Sequence, residues 1–182
     1  MAISPEDRAQ LVALARRAVE AEVNGQPLPR VDSPSGVLVE PRGCFVTLTN
    51  GGRLRGCIGT FQPRGPLAEM IVEIAAEAAH DGRFIANPVT PRELPELKVE
   101  VSVLSPLQKT DKPAKLRLGE DGIYIVRGAR SGCFLPEVAA ETGWSAEEFL
   151  DQCCVTKAGL HAGAWRQPQT SVYLFTSEKF DH

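Results

Sequence analysis

The chain has 182 residues, and its 20 Lys+Arg against 23 Asp+Glu give a formal net charge of −3. A hydrophobic share of 43% with 24% charged residues excludes disorder as the dominant state, and the acidic balance argues against a nucleic-acid-coating protein. The longest unbroken apolar run, Leu11–Ala15, falls far short of the roughly 20 residues of a membrane span.

Ser4-Pro5-Glu6-Asp7 is a helix start. Serine caps, proline is tolerated in the first turn, and acids suit the positive end. Leu11, Leu14, Ala18 and Ala21 follow at spacings of three and four, which predicts an amphipathic helix ending near Asn24-Gly25. Residues 26–35 hold three prolines and read as an extended connector. Strands are expected at Gly36–Glu40, Cys44–Thr49 and Arg53–Gly59, the last two flanking Asn50-Gly51-Gly52 as a hairpin. Gly65-Pro66 opens a second helix with Leu67, Met70, Ile71, Ile74, Ala75 and Ala78 on one face, ending near His80. Leu97–Ser105 alternates apolar and polar residues, the pattern of a half-buried strand.

Lys109–Pro113 reads as a hinge. Beyond it, strands are expected at Ala114–Leu118, Ile123–Arg127 and Ser131–Leu135, and helices at Pro136–Glu141 and Ala146–Cys153. Ser145 and Glu148 form a capping box for the second of these helices. A last strand is expected at Ser171–Ser177. That makes five strands outside residues 110–167 and three inside. Hairpins and meanders, rather than regular strand–helix–strand crossovers, give the class α+β. The expected organisation is a larger lobe of 1–109 plus 168–182, to which the last strand returns, and an inserted smaller lobe of 110–167. A cleft between two lobes is a usual ligand site.

The five cysteines are odd in number and include no Cys-x-x-Cys pair. Glu6, Asp7 and Arg8 stand where a secretory signal would be apolar, so reduced thiols in a cytoplasmic protein are expected.

The chemistry signal is Leu54-Arg55-Gly56-Cys57-Ile58-Gly59. A two-residue turn would set Arg53 and Arg55 beside Val46 and Leu48, whereas a three-residue loop keeps like residues together. The loop places Cys44 in the core and Cys57 on the polar face, beside Arg55. A neighbouring guanidinium favours the thiolate, the reactive form, and lowers its pKa. Gly56 and Gly59 leave bare backbone where a substrate or another chain can approach. The competing reading is a small, buried cysteine with glycines marking a bulge.

Asp81-Gly82-Arg83-Phe84 is the second feature. An acid at a helix C-terminus wants a cation, and Arg83 or Arg55 can supply one, unless Asp81 merely bonds its own turn. Glu100 lies on the polar face of its strand. His80 is a possible base for Cys57 or a partner of its helix's last carbonyls. Cys133, Cys153, Cys154 and His161 lack the spacing of a zinc site, so no metal is expected. Trp144, Phe149, Leu150 and Trp165 read as core. No phosphate loop or paired carboxylates stand out, and no cofactor is expected.

At Leu54–Gly59 the chain resembles the AMMECR domain family, protein A of the AmmeMemoRadiSam system. The resemblance extends through Phe45-Val46-Thr47-Leu48, Ala78-Ala79, Asp81-x-Arg83-Phe84, Glu100–Pro106, Gly132-x-Phe134-Leu135-Pro136, Gly143-Trp144 and Lys157-Ala158-Gly159-Leu160. It implies two unequal lobes, each an antiparallel sheet flanked by helices. It also implies partners, a Memo-type dioxygenase-like protein and a radical S-adenosylmethionine enzyme, but no settled reaction. The family's presumed centre maps onto Arg55, Gly56 and Cys57, and its acid-x-Arg-Phe signature onto Asp81, Arg83 and Phe84. The chain departs from the family at Gly82, where proline is usual, and at His80 and His161, which the family pattern does not require.

Two functions follow as expectations. In one, Cys57 is the nucleophile or thiol acid/base of a small-molecule or peptide modification enzyme, Arg55 holds the thiolate or an anionic group, and Asp81 and Arg83 orient substrate. In the other, the Leu54–Gly59 hairpin and the inter-lobe cleft bind a ligand or partner without catalysis. Nucleic acid and membrane are not expected as partners.

Overall fold

Ser4 accepts the Asp7 N–H at 3.1 Å and starts helix α1, Pro5–Val23, whose Leu11, Leu14, Ala15 and Ala18 turn inward. The structure, a computed structural model, describes residues 3–32 and 34–181, so Ser33 of the expected connector lies outside the described residues. The chain divides into two units, Met1–Leu104 with Glu178–His182, and Ser105–Ser177.

The first unit contains β1 (Cys44–Asn50), β2 (Arg53–Thr60), α2 (Leu67–Ala79), β3 (Leu97–Leu104) and β8 (Ser177–Asp181). Its four-stranded sheet has the order β2-β1-β3-β8. The alternation in β1 and β3 turns Cys44, Val46, Leu48, Val99, Val101 and Val103 to one face. There they share a core with α1 and with Leu67, Ile71, Ile74, Ala75 and Ala78 of α2. The alanines of α2 have a positional use: small side chains let the helix backbone lie close to the sheet. A Cβ at Gly56 would come 2.0 Å from the Ala78 carbonyl oxygen.

The second unit contains β4 (Gln108–Lys109), β5 (Gly122–Arg127), β6 (Arg130–Phe134), α3 (Pro136–Thr142), α4 (Ala146–Thr156) and β7 (Ser171–Phe175). Its sheet order is β4-β7-β5-β6. Ser145 and Glu148 close the capping box on α4. Ile123, Ile125, Phe134, Phe149, Leu150, Cys153, Cys154 and Trp165 form the core.

Three expected strands differ from the structure. Gly36–Glu40 is a 3-10 turn over Gly36–Val39, because Gly36 has φ +58° and turns the chain so that Leu38 is buried. Ala114–Leu118 is also turned, over Pro113–Lys115; Pro113 has no N–H to give a ladder. Ser171–Ser177 is not one strand returning to the first sheet. Its first part, β7, pairs with β4 and β5, and the chain then passes Thr176, whose N–H bonds the Ser105 hydroxyl at 2.9 Å. The strand that joins the first sheet is β8, which the sequence reading left out. Each sheet therefore has four strands, instead of five and three.

Candidate functional site

The β1–β2 hairpin closes on two residues, Gly51 and Gly52, with φ +54° and +76°. Two successive left-handed residues are what a turn matching the strand twist requires, and glycine adopts them without strain. Asn50 pairs with Arg53 and Thr49 with Leu54, but Leu48 then pairs with Gly56. Arg55 is the extra residue of a β-bulge. The expected three-residue loop is thus corrected to a two-residue turn plus a bulge. The bulge restores the like-with-like pairing that the loop was invoked to explain: Val46 faces Ile58, and Thr47 faces Cys57.

Arg55 spends its donors on residues 87–93, with no hydrogen bond to Cys57 among the described residues. Arg55 Nε and Nη2 donate to the two Glu93 carboxylate oxygens at 2.8 and 3.2 Å, and Nη2 also donates to the Asn87 and Pro88 carbonyls at 3.0 and 3.2 Å. Its side chain is 10% exposed, so this is a buried fork that fastens residues 87–93 to β2. The bond from Arg55 holds the Glu93 carboxyl below its ordinary pKa. A cleft of about 520 Å³ opens beside it, lined by Asn50, Gly51, Arg53, Leu54, Asn87 and Glu93 as well as Arg55.

The cation beside Cys57 is Arg83. Strand β2 ends the sheet order, so among the described residues one of its edges has no strand partner. At Cys57 that edge is filled by two side chains. Asp81 Oδ2 accepts the Cys57 N–H at 2.9 Å, and Arg83 Nη2 donates to the Cys57 carbonyl at 3.1 Å. An acceptor and a donor side by side substitute for a neighbouring strand and block the edge against unwanted pairing. Asp81 also caps the 3-10 turn Gly82–Phe84 by accepting the Arg83 N–H at 3.0 Å, and its Oδ2 takes Arg83 Nη2 at 2.6 Å. The bond from Arg83 is the largest cause holding the Asp81 carboxyl far below the usual carboxylate range. The Asp81 bond is likewise the main cause raising the Arg83 pKa, with the adjacent Cys57 sulfur adding to it. Asp81 is an ionised, buried acceptor, which suits positioning rather than proton donation.

The Cys57 sulfur accepts the Thr47 hydroxyl at 3.3 Å, and Cys57 itself is half-buried. Sequence reasoning misses Thr47, because a three-residue loop sets Phe45 opposite Cys57 and only the bulge brings Thr47 there. It also pairs with Glu100, so Cys57, Thr47 and Glu100 form one row across β2, β1 and β3. The Glu100 carboxylate meets Lys179 at 3.7 Å. Cys44 is fully buried, and burial pushes its thiol up to about 12. His80 is turned toward Glu22, with 3.0 Å between Nε2 and Oε1.

The two glycines do not leave open backbone beside the sulfur. The space at Gly56 is taken by the main chain of Ala78, and that at Gly59 by the Phe45 ring, 2.1 Å from where a Cβ would lie. Phe45 in turn meets Phe61 edge-on, with 5.1 Å between centroids. Among the described residues, no group of three or more His, Cys, Asp or Glu is placed to hold a metal ion.

An α+β protein built on this hairpin and its Asp–Arg clamp has close relatives. The AMMECR1 family profile matches residues 12–180. A protein of Methanothermobacter thermautotrophicus is 42% identical over 98% of this chain and 95% of its own. Protein TK0174 of Thermococcus kodakarensis is 46% identical, over 94% of this chain and 88% of its own. The crystal structure of uncharacterized protein PH0010 from Pyrococcus horikoshii is 39% identical and matches with a TM-score of 0.85, covering 99% of this chain and 93% of that one. The chain belongs to the AMMECR1 family.

Proposed function

We propose that the Cys57 face of the first unit recognises a small-molecule or peptide ligand. The thiol would contact that ligand, and the chain would work in a modification pathway with a Memo-type dioxygenase-like protein and a radical S-adenosylmethionine enzyme. The observation that carries this reading is the use already made of the neighbouring groups. Arg55 and Asp81 spend their hydrogen bonds inside the protein, whereas the half-buried Cys57 sulfur has the Thr47 hydroxyl on one side and the Arg83 cation nearby. The site is an anchored strand edge presenting one thiol. The partners rest on the family resemblance alone.

A second reading, in which Cys57 is a nucleophile, is favoured by that same pair of donors, since nucleophilic thiols stand in electropositive surroundings. Incubating purified protein with cell extract and recovering it for mass spectrometry tests both. Recognition predicts a retained, non-covalent ligand that Arg83→Glu loses and Cys57→Ala weakens. Nucleophilic action predicts a covalent mass on the Cys57 peptide that Cys57→Ala abolishes. Equal retention by wild type and both variants would remove the site from function.

A further inference from the structure

In the second unit, β5 and β6 are joined through Gly128-Ala129, with Gly128 at φ +59°. The residues paired directly across this turn are Arg127 and Arg130. Like charges opposite each other in a ladder are destabilising. A carboxylate would relieve such a pair, but here both anchors are neutral. Arg127 Nη1 donates to Gln167 Oε1 at 2.6 Å, and Arg130 Nη1 donates to the Gly159 carbonyl at 2.8 Å. Among the described residues neither guanidinium makes an ion pair. Each guanidinium is tethered through one Nη1 to a neutral acceptor, which leaves its charge uncompensated.

Both arginines line a hollow of about 420 Å³ together with Ala129, Leu160 and His161. That volume is in the range of small-molecule sites. No acid lines it. His161 Nδ1 lies 2.7 Å from the Ala162 carbonyl, which can only accept, so Nδ1 carries a proton and ties the ring to the main chain. In a chain with net charge −3, a hollow lined by two guanidiniums and no described acid is a local inversion of sign.

We infer that this hollow binds a small molecule bearing a phosphate-type dianion. One guanidinium from each strand would engage the anion's oxygens, and Leu160 and Ala129 would form the apolar wall for the rest of the ligand. A fork on each side matches a tetrahedral group with several equivalent oxygens, where arginine recognises two at a time. The site is built from residues of the second unit only and does not depend on the function proposed for the Cys57 face.

The test is a titration of the full-length, 15N-labelled protein with inorganic phosphate and with pyrophosphate, each matched in ionic strength by sodium chloride. Saturable amide shifts are expected at Arg127–Arg130 and Leu160–His161, with pyrophosphate binding more tightly than phosphate. Arg130→Gln and Arg127→Gln should each weaken binding at least tenfold, and Arg130→Lys should fall in between, since it keeps the charge and loses the fork. A variant with an altered melting curve is replaced in the comparison by the other position. Shifts reproduced by sodium chloride, or variants that bind like wild type, would overturn the inference.

Discussion

The Asp81 carboxylate accepts the Cys57 main-chain N–H at 2.9 Å across 24 residues of sequence, and Asp81 is only 4% exposed. Arg83 completes the contact by donating to the Cys57 carbonyl, so both main-chain polar groups of one strand residue are held by a single ion pair. The position of the thiol therefore depends on two side chains from the turn after α2, as well as on the hairpin that carries it.

The clamp has a pH signature. Because Arg83 depresses the folded-state pKa of Asp81, the unfolded chain binds the proton more readily than the folded one. The clamp's stabilisation is therefore fully present above the unfolded carboxylate value, about pH 4, and is lost as pH falls from there toward the folded value. Asp81→Asn should lower stability at pH 7 by roughly 2 kcal/mol, the scale of a hydrogen bond to a charged group. It should also flatten the acid limb of the stability curve. Urea unfolding from pH 2.5 to 7 measures both, and a variant with the wild-type acid limb would show that Asp81 does not hold the edge.

Gly56→Ala should be among the most damaging small substitutions in the chain. The added carbon would lie 2.0 Å from the Ala78 carbonyl oxygen, and the nearest atoms it meets are all main chain of Ala78, so α2 must separate from β2. Overpacking of this kind costs about 3 kcal/mol. Thermal unfolding reads it. A loss under about 0.5 kcal/mol, the ordinary range for a surface change, would mean the helix yields easily.

Arg55 holds a part of the fold together. Arg55→Gln leaves Glu93 half-buried without its cation and the Asn87 and Pro88 carbonyls without a donor. Breaking a buried pair from one side costs roughly 3 kcal/mol or more. The loss should appear in denaturant midpoints, with proteolysis of the loosened 87–93 segment increased. A variant that keeps full stability and loses ligand retention would return Arg55 to the binding role expected from sequence.

Period and caps were enough to place α1, α2 and α4. Ser4, Ser145 and Glu148 mark their ends by local chemistry, and Leu11, Leu14 and Ala18 give the inward face. The hairpin was legible from Asn50-Gly51-Gly52, and the facing of Cys44 and Thr47 from alternation. The bulge was not, because it resolves a conflict of parity that a longer loop resolves equally well on paper. Nor was the partner of Arg55. Glu93 lies 38 residues away in a turn-rich stretch with no period, and nothing local distinguishes it from Glu96. The change of sheet after Phe175 was hidden because one alternating run can serve two sheets when a single residue, Thr176, breaks it.

Peptide-resolved alkylation of the native protein tests the central claim most directly. In a time course with iodoacetamide at pH 7, followed by digestion and mass spectrometry, Cys57 should label at least tenfold faster than the fully buried Cys44, Cys153 and Cys154. Arg83→Gln should alter the Cys57 rate while leaving those three slow. If Cys57 labels no faster than Cys44 in the wild-type protein, the thiol is not a presented group, and the recognition site built around it is refuted.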